Sequence, residues 1–269
     1  MSRSAPATPA EELFPPVGAP LARRAVGEGR PVVVAAHGLG GSATQVAPLL
    51  RRAQGRRVLV DLRGHGASPP LDAGFDYEQL ADDLLEVVDA ERADAVLGLS
   101  LGAGTVLRAL HRRRDAVRAA VLVMPSGVDR APDDASRERL DRLGRAVDRR
   151  DVHAVLELLL DEVPPDLRGR AAVVRLVRAR AEVLVRRPAP WPRRQEGPLA
   201  SWDLVAGLDL PVLVVVQEAD PLHPAEVGRG LAEALPQGRL VETGEGGVFF
   251  GEARRVQDAV ASFLSEVCT

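Results

Sequence analysis

Six short apolar runs, each crowded with valine, leucine and alanine and each separated from the next by a helix-length stretch, recur along this chain, and that alternation leaves few folds open. They lie at 31–36, 57–62, 93–99, 119–124, 212–217 and 239–242. A strand that is apolar on both faces needs a layer of helices on each side, which is the arrangement of parallel βαβ units. The intervening stretches carry helix signals. Asp76 precedes Leu80, Leu84, Leu85 and Val88, an N-cap followed by apolar positions at helical spacing. Similar helices are expected after Gly41, after Ser100, after Pro224 and over 252–266. The predicted class is therefore α/β, with a mostly parallel sheet flanked by helices.

The rhythm stops between 126 and 208. About eighty residues there show helical patterns punctuated by Pro164, Pro165, Pro188, Pro190, Pro192 and Pro198, with no convincing strand. This reads as an inserted helical cap, 126–208, set into a core made of 21–125 and 209–269. A length of 269 residues suits one such domain with a lid. Residues 1–20, rich in Ala and Pro, show no basic region followed by an apolar stretch and read as a flexible tail on a cytoplasmic protein.

Composition removes several functions. All 35 basic residues are arginine, consistent with a GC-rich bacterial coding sequence, so neither a Schiff-base lysine nor a P-loop lysine is available. A net charge of -3 argues against a nucleic-acid partner. No apolar run is long enough to span a bilayer. The single cysteine, Cys268, excludes a disulfide framework, and no His/Cys/carboxylate spacing or G-x-G-x-x-G fingerprint indicates a metal or an organic cofactor. The cap arginines, Arg170, Arg175, Arg178, Arg180, Arg186, Arg187, Arg193 and Arg194, read as a solvated face.

Two glycine-rich turns carry the chemistry. Gly98-Leu99-Ser100-Leu101-Gly102 is G-x-S-x-G between an apolar run and a helical pattern, the strand-turn-helix setting in which a serine hydroxyl is held out on a strained turn. His37-Gly38-Leu39-Gly40-Gly41 leaves the first strand and enters a helix, where a backbone N–H can face a developing oxyanion. Leu39 and Leu101 would supply those amides. A third motif, Asp61-Leu62-Arg63-Gly64-His65-Gly66-Ala67-Ser68, follows the second run.

These three ordered motifs resemble the α/β-hydrolase superfamily, over about residues 31–264, which implies a mostly parallel sheet of eight strands or slightly fewer, and the helical insertion is similar to the caps of enol-lactonases, C-C hydrolases and haloperoxidase-like members. The resemblance implies an acid after the strand that follows the cap, and Asp220 in Glu218-Ala219-Asp220-Pro221-Leu222-His223-Pro224 fits it. It also implies a histidine between the last strand and the last helix. That loop reads Thr243-Gly244-Glu245-Gly246-Gly247-Val248, without one, and the expected slot falls at Gly246 or Gly247.

Five histidines compete for the vacancy. His37 and His65 sit in turns where the resemblance implies structural roles, His111 lies several turns along the helix after Ser100, and His153 falls in the cap. His223 is on the correct rim of the sheet and is the best substitute. Glu245 is the titratable side chain at the missing slot, a weaker base for a serine hydroxyl. Three functions follow from these choices. One is hydrolysis of a small ester, lactone or thioester with Ser100 as nucleophile, Asp220 as acid and His223 or another group as base. The second is non-hydrolytic chemistry, such as cyclisation, elimination or decarboxylation, on the same fold. The third is a ligand-binding module that has lost catalysis. Aromatic residues are 3% of the chain, with Trp191 and Trp202 the cap's contribution, so the expected pocket is aliphatic and its ligand a small apolar or acyl-bearing molecule.

Overall fold

The computed structural model describes residues 12–14, 21–71, 76–129, 134–186, 191, 196–244 and 247–268. Eight strands form one sheet: β1 (Glu12–Phe14), β2 (Arg23–Val26), β3 (Val32–Ala36), β4 (Arg56–Val60), β5 (Ala95–Leu99), β6 (Ala119–Val123), β7 (Val212–Gln217) and β8 (Gly238–Thr243). Their spatial order is β1-β2-β4-β3-β5-β6-β7-β8. Strands β1, β2 and β4 pair antiparallel, and every pair from β4 through β3 to β8 is parallel.

All six apolar runs become strands; in β3, β5, β6 and β7 every residue is buried, with alternate side chains on opposite faces, while β8 at the sheet edge is largely exposed. Val32, Val34 and Ala36 of β3 join one core layer with Val58, Val96, Leu122 and Val214. Val33 and Ala35 join the other with Leu59, Leu97, Val121 and Val215. Helices α2 (Tyr77–Glu91), α3 (Leu101–Arg112) and α7 (Ala225–Ala234) cover the first layer. The short α1 (Ala43–Val46) and the C-terminal α8 (Ala253–Val267) cover the second. Asp76 does cap α2, accepting from the Gln79 N–H at 2.7 Å.

Two strands go beyond the sequence reading. β2, Arg23-Arg24-Ala25-Val26, alternates buried and half-buried positions near the antiparallel edge, and β1 falls inside the stretch expected to be a tail. The remainder of that tail lies outside the described residues.

Between β6 and β7 the chain forms α4 (Asp134–Asp148), α5 (Val152–Leu160) and α6 (Ala171–Val185). These helices bury an apolar cluster of their own, among them Leu143, Val155, Leu159, Ala181, Leu184 and Trp191. The order of the sheet reverses around β3, since β4 lies on one side and β5 on the other. In open α/β sheets a crevice forms at the carboxyl ends of the strands where such a reversal occurs. The turns after β3 and β5, which carry the two glycine-rich motifs, therefore meet there.

Candidate active site

Ser100 occupies the turn between β5 and α3 with φ 51 and ψ -107, a backbone conformation that an L-residue adopts only when its surroundings impose it. Its N–H donates to the Val123 carbonyl at 2.9 Å. The flanking glycines make the turn possible: a side chain on Gly98 would overlap the Gly102 carbonyl, and one on Gly102 would overlap the carbonyl of Ala36. The Gly102 N–H in turn donates to the His37 carbonyl at 3.1 Å, which ties the start of α3 to the end of β3.

His223 reaches this serine from the loop between β7 and α7. Its Nε2 lies 2.8 Å from Ser100 Oγ, and its Nδ1 lies 3.0 Å from Asp220 Oδ1. The carboxylate accepts from Nδ1–H, which leaves Nε2 as the acceptor for the serine hydroxyl. Asp220 Oδ1 also accepts from the backbone N–H groups of Leu222 at 2.8 Å and His223 at 3.1 Å. The loop is thus an Asx turn that folds the imidazole back over the carboxylate, with Pro221 and Pro224 restricting the chain on either side.

The electrostatics of Asp220 follow from this packing. Burial pushes its carboxyl up, but the adjacent His223, with the side-chain hydrogen bond and the two backbone N–H donors, outweighs it and holds the group below the usual carboxylate range. The side chain is 1% exposed, so water does not supply what these donors supply.

The turn after β3 is held by two histidines in contact with each other, ring centroids 4.9 Å apart and inclined at 62°. His37 Nε2 accepts from the Leu62 N–H at 3.0 Å, so its Nδ1 carries the proton given to the Gly38 carbonyl at 2.7 Å. His65 Nε2 accepts from the Gly40 N–H, and its Nδ1 donates to the Arg63 carbonyl, both at 3.0 Å. Asp61 completes the scaffold, taking the Ala43 N–H on one carboxylate oxygen at 2.6 Å and the Ala67 N–H on the other at 3.0 Å. Leu39 and Leu101 both border the cavity above Ser100. Leu101 is the first residue of α3, so its N–H has no acceptor within the helix.

The other sequence candidates are elsewhere. Glu245 and Gly246 lie outside the described residues. Gly247, the other end of the expected histidine slot, has φ +68, and a side chain there would press on Gln217 Oε1 at 2.8 Å and on Pro164 at 3.3 Å. Gln217 Oε1 accepts instead from the Val248 N–H at 3.1 Å, which fastens this loop to β7. His111 sits near the end of α3, away from the cavity lining. His153, 79% exposed, faces Glu157 on the outer surface of α5.

Above Ser100 the cavity holds about 460 Å³, floored by the turns after β3 and β5 and roofed by aliphatic side chains of α4, α5 and α6. Trp191, Phe249 and Phe250 are its aromatic members. The expectation for Trp202 fails: it packs on α7 at Gly230 and does not line the cavity. Sequence reasoning also missed Glu162 and the role of Arg180, which face each other in the cavity wall at 3.4 Å. Among the described residues no group of His, Cys and carboxylate side chains is arranged to hold a metal, and no helix is long and apolar enough to cross a membrane.

A model of the alpha/beta hydrolase family matches residues 32–259. Among curated proteins, a stretch of 132 residues is 36% identical to a non-heme chloroperoxidase of Kitasatospora aureofaciens, covering 45% of this chain and 48% of that protein. The match thus spans about half of the curated relative. The fold is similar to that of a thermophilic esterase from Thermogutta terrifontis, with TM-score 0.73, 22% identity, and 93% and 94% of the two chains covered. It is also similar to a meta-cleavage product hydrolase from Pseudomonas fluorescens, with TM-score 0.76, 19% identity, and 94% and 98% covered.

Proposed function

The chain belongs to the alpha/beta hydrolase family, and we propose that it hydrolyses carboxylic esters or thioesters with Ser100 as nucleophile, His223 as general base and Asp220 as the acid that orients it. The observation that carries this reading is the continuous hydrogen-bond line from Ser100 Oγ to His223 Nε2, at 2.8 Å, and from His223 Nδ1 to Asp220 Oδ1, at 3.0 Å. The base comes from the acid's own loop. A nucleophile within hydrogen-bond reach of an imidazole that is oriented by a buried carboxylate is the arrangement serine acyl transfer requires.

In the reaction, His223 Nε2 takes the hydroxyl proton as Ser100 Oγ bonds to the carbonyl carbon. The carbonyl oxygen becomes an oxyanion, which the N–H groups of Leu39 and Leu101 stabilise. Collapse breaks the bond to the alcohol or thiol, and the proton on His223 goes to that leaving group. Water, deprotonated by His223, then attacks the acyl-serine; the acid leaves, and the proton returns to Ser100. Throughout, Asp220 stays ionised and faces the imidazolium. The helices of 126–208 act as the cap that excludes bulk water from the cavity.

The non-hydrolytic and ligand-binding alternatives were motivated by a missing base, and an imidazole 2.8 Å from Ser100 Oγ supports hydrolysis over them. The test is labelling by a serine-directed fluorophosphonate. The wild-type protein should be labelled, and Ser100→Ala should not; absence of labelling in both would overturn the assignment.

A further inference from the structure

Among the described residues only three large hydrophobic side chains are substantially exposed, and two of them share one helix. Leu176 is 61% exposed and Val183 is 59% exposed; the third, Leu240, lies on the edge strand β8 at 37%. Leu176 and Val183 are seven residues apart on α6, two turns along one face, and both line the cavity that holds Ser100. Leu176 and Val183 therefore carry the apolar wall of the cavity onto the outside of the protein, with Arg180, which lies between them on this face, paired to Glu162 at 3.4 Å.

We propose that this lip is the distal part of an acyl-binding track: the substrate's acyl chain runs from Ser100 beneath α6 and covers Leu176 and Val183, so that the preferred esters carry chains of eight carbons or more. The proposal rests on the hydrolase reading above. Two exposed aliphatic side chains gain little in the free protein, since each keeps apolar surface in water that burial would remove. A chain bound along them removes that surface at the moment of binding. A second copy of the protein is the poorer occupant. Arg175 and Arg178 are exposed beside Leu176 and form no ion pair within the described residues, so a two-fold contact across this face would set like charges against one another.

The expected effect is a chain-length dependence. Each methylene buried is worth about a fourfold gain in binding. With p-nitrophenyl butyrate, octanoate and decanoate at concentrations below micelle formation, kcat/KM should rise at least about tenfold from butyrate to octanoate. The double variant Leu176→Ser, Val183→Ser should flatten that rise, losing far more on octanoate and decanoate than on butyrate, while Leu176→Met, Val183→Ile should keep it. Leu240→Ser, which removes the third exposed side chain far from the cavity, should behave as wild type. Circular dichroism and the thermal midpoint of each variant separate misfolding from a change of specificity.

The proposal is overturned if kcat/KM falls beyond butyrate, if the double variant lowers every ester by the same factor, or if the wild type is a dimer that the double variant dissociates with the slope unchanged. Failure of the underlying hydrolase reading looks different. In that case none of the three esters is turned over, or Ser100→Ala turns them over as fast as the wild type.

Discussion

His223 Nε2 stands 2.8 Å from Ser100 Oγ although the two residues are 123 positions apart in the chain. What brings them together is the parallel sheet, which places the ends of β5 and β7 on the same rim with β6 between them. The imidazole delivered from the β7 loop sits three residues from the Asp220 carboxylate, so one short turn fixes the whole hydrogen-bond line. Removing either end of the contact should therefore stop catalysis to the same extent. His223→Ala and Ser100→Ala are each expected to lower kcat for ester hydrolysis by on the order of 10⁶, and the double variant should be no worse than either. Steady-state rates on p-nitrophenyl butyrate measure this, and a His223→Ala variant within tenfold of wild type would remove His223 from the mechanism.

Much of this was legible in the chain. The apolar runs were enough for the parallel core, because strands buried on both faces, as β3, β5, β6 and β7 are, leave no polar alternation to confuse them with anything else. Edge strands are a different matter. Arg23–Val26 is short, half-exposed and partly charged, and its pairing with β4 is a property of the fold and not of its composition. The serine turn was readable from two glycines whose absence of side chains the packing demands. His223 was readable as the best substitute but its 2.8 Å approach to Ser100 was not, because a histidine is expected in the loop after β8, where Gly247 stands at φ +68 against Gln217. The signal that pointed to it was Asp220-Pro221-Leu222-His223. An Asx turn closed by proline returns residue i+3 to the carboxylate of residue i.

Asp220 makes a second prediction, about charge. Asn at this position keeps an oxygen for the backbone N–H groups of Leu222 and His223 but cannot hold the imidazolium, so Asp220→Asn should lower kcat by roughly 10⁴. The stability effect has a definite sign. A carboxyl held below its usual value contributes stability that is fully present above the unfolded-state pKa of about 3.9 and is lost as pH falls through the lower folded value. The difference in urea midpoint between wild type and Asp220→Asn should accordingly shrink as pH falls below about pH 4. A difference that instead grows on acidification would contradict the assignment.

His65 should act through the loop it supports. Its Nε2 accepts the Gly40 N–H, and His65→Phe leaves that buried donor unsatisfied, at a cost of about 1–3 kcal/mol in stability. The neighbouring Leu39 amide then loses its fixed position. The expected result is a fall in kcat smaller than the roughly 10²-fold that deleting an oxyanion donor costs, with KM little changed. His65→Gln, which can again offer an acceptor, should recover part of it. Were kcat unaffected while stability fell, His65 would be a packing residue only.

Trp191 links the roof of the cavity to its floor. It is 7% exposed within the helical cluster, and its backbone N–H donates to Asp148 at the end of α4 at 3.0 Å. Its ring lies over Gly40, in the turn that carries Leu39, and beside Gly144 of α4. Truncation of a buried tryptophan costs about 3–5 kcal/mol. Because the cluster formed by α4, α5 and α6 is separate from the two layers that clamp the sheet, Trp191→Ala should loosen the insertion before the core. Hydrogen exchange should show protection lost across α5 and α6 while β5, β6 and β7 keep theirs. The serine relay itself lies in the core, so fluorophosphonate labelling of Ser100 should persist in this variant while KM for octanoyl esters rises. If labelling vanished with the cap's protection, the relay would depend on the roof, and the cap would be part of the catalytic geometry as well as a cover for the substrate.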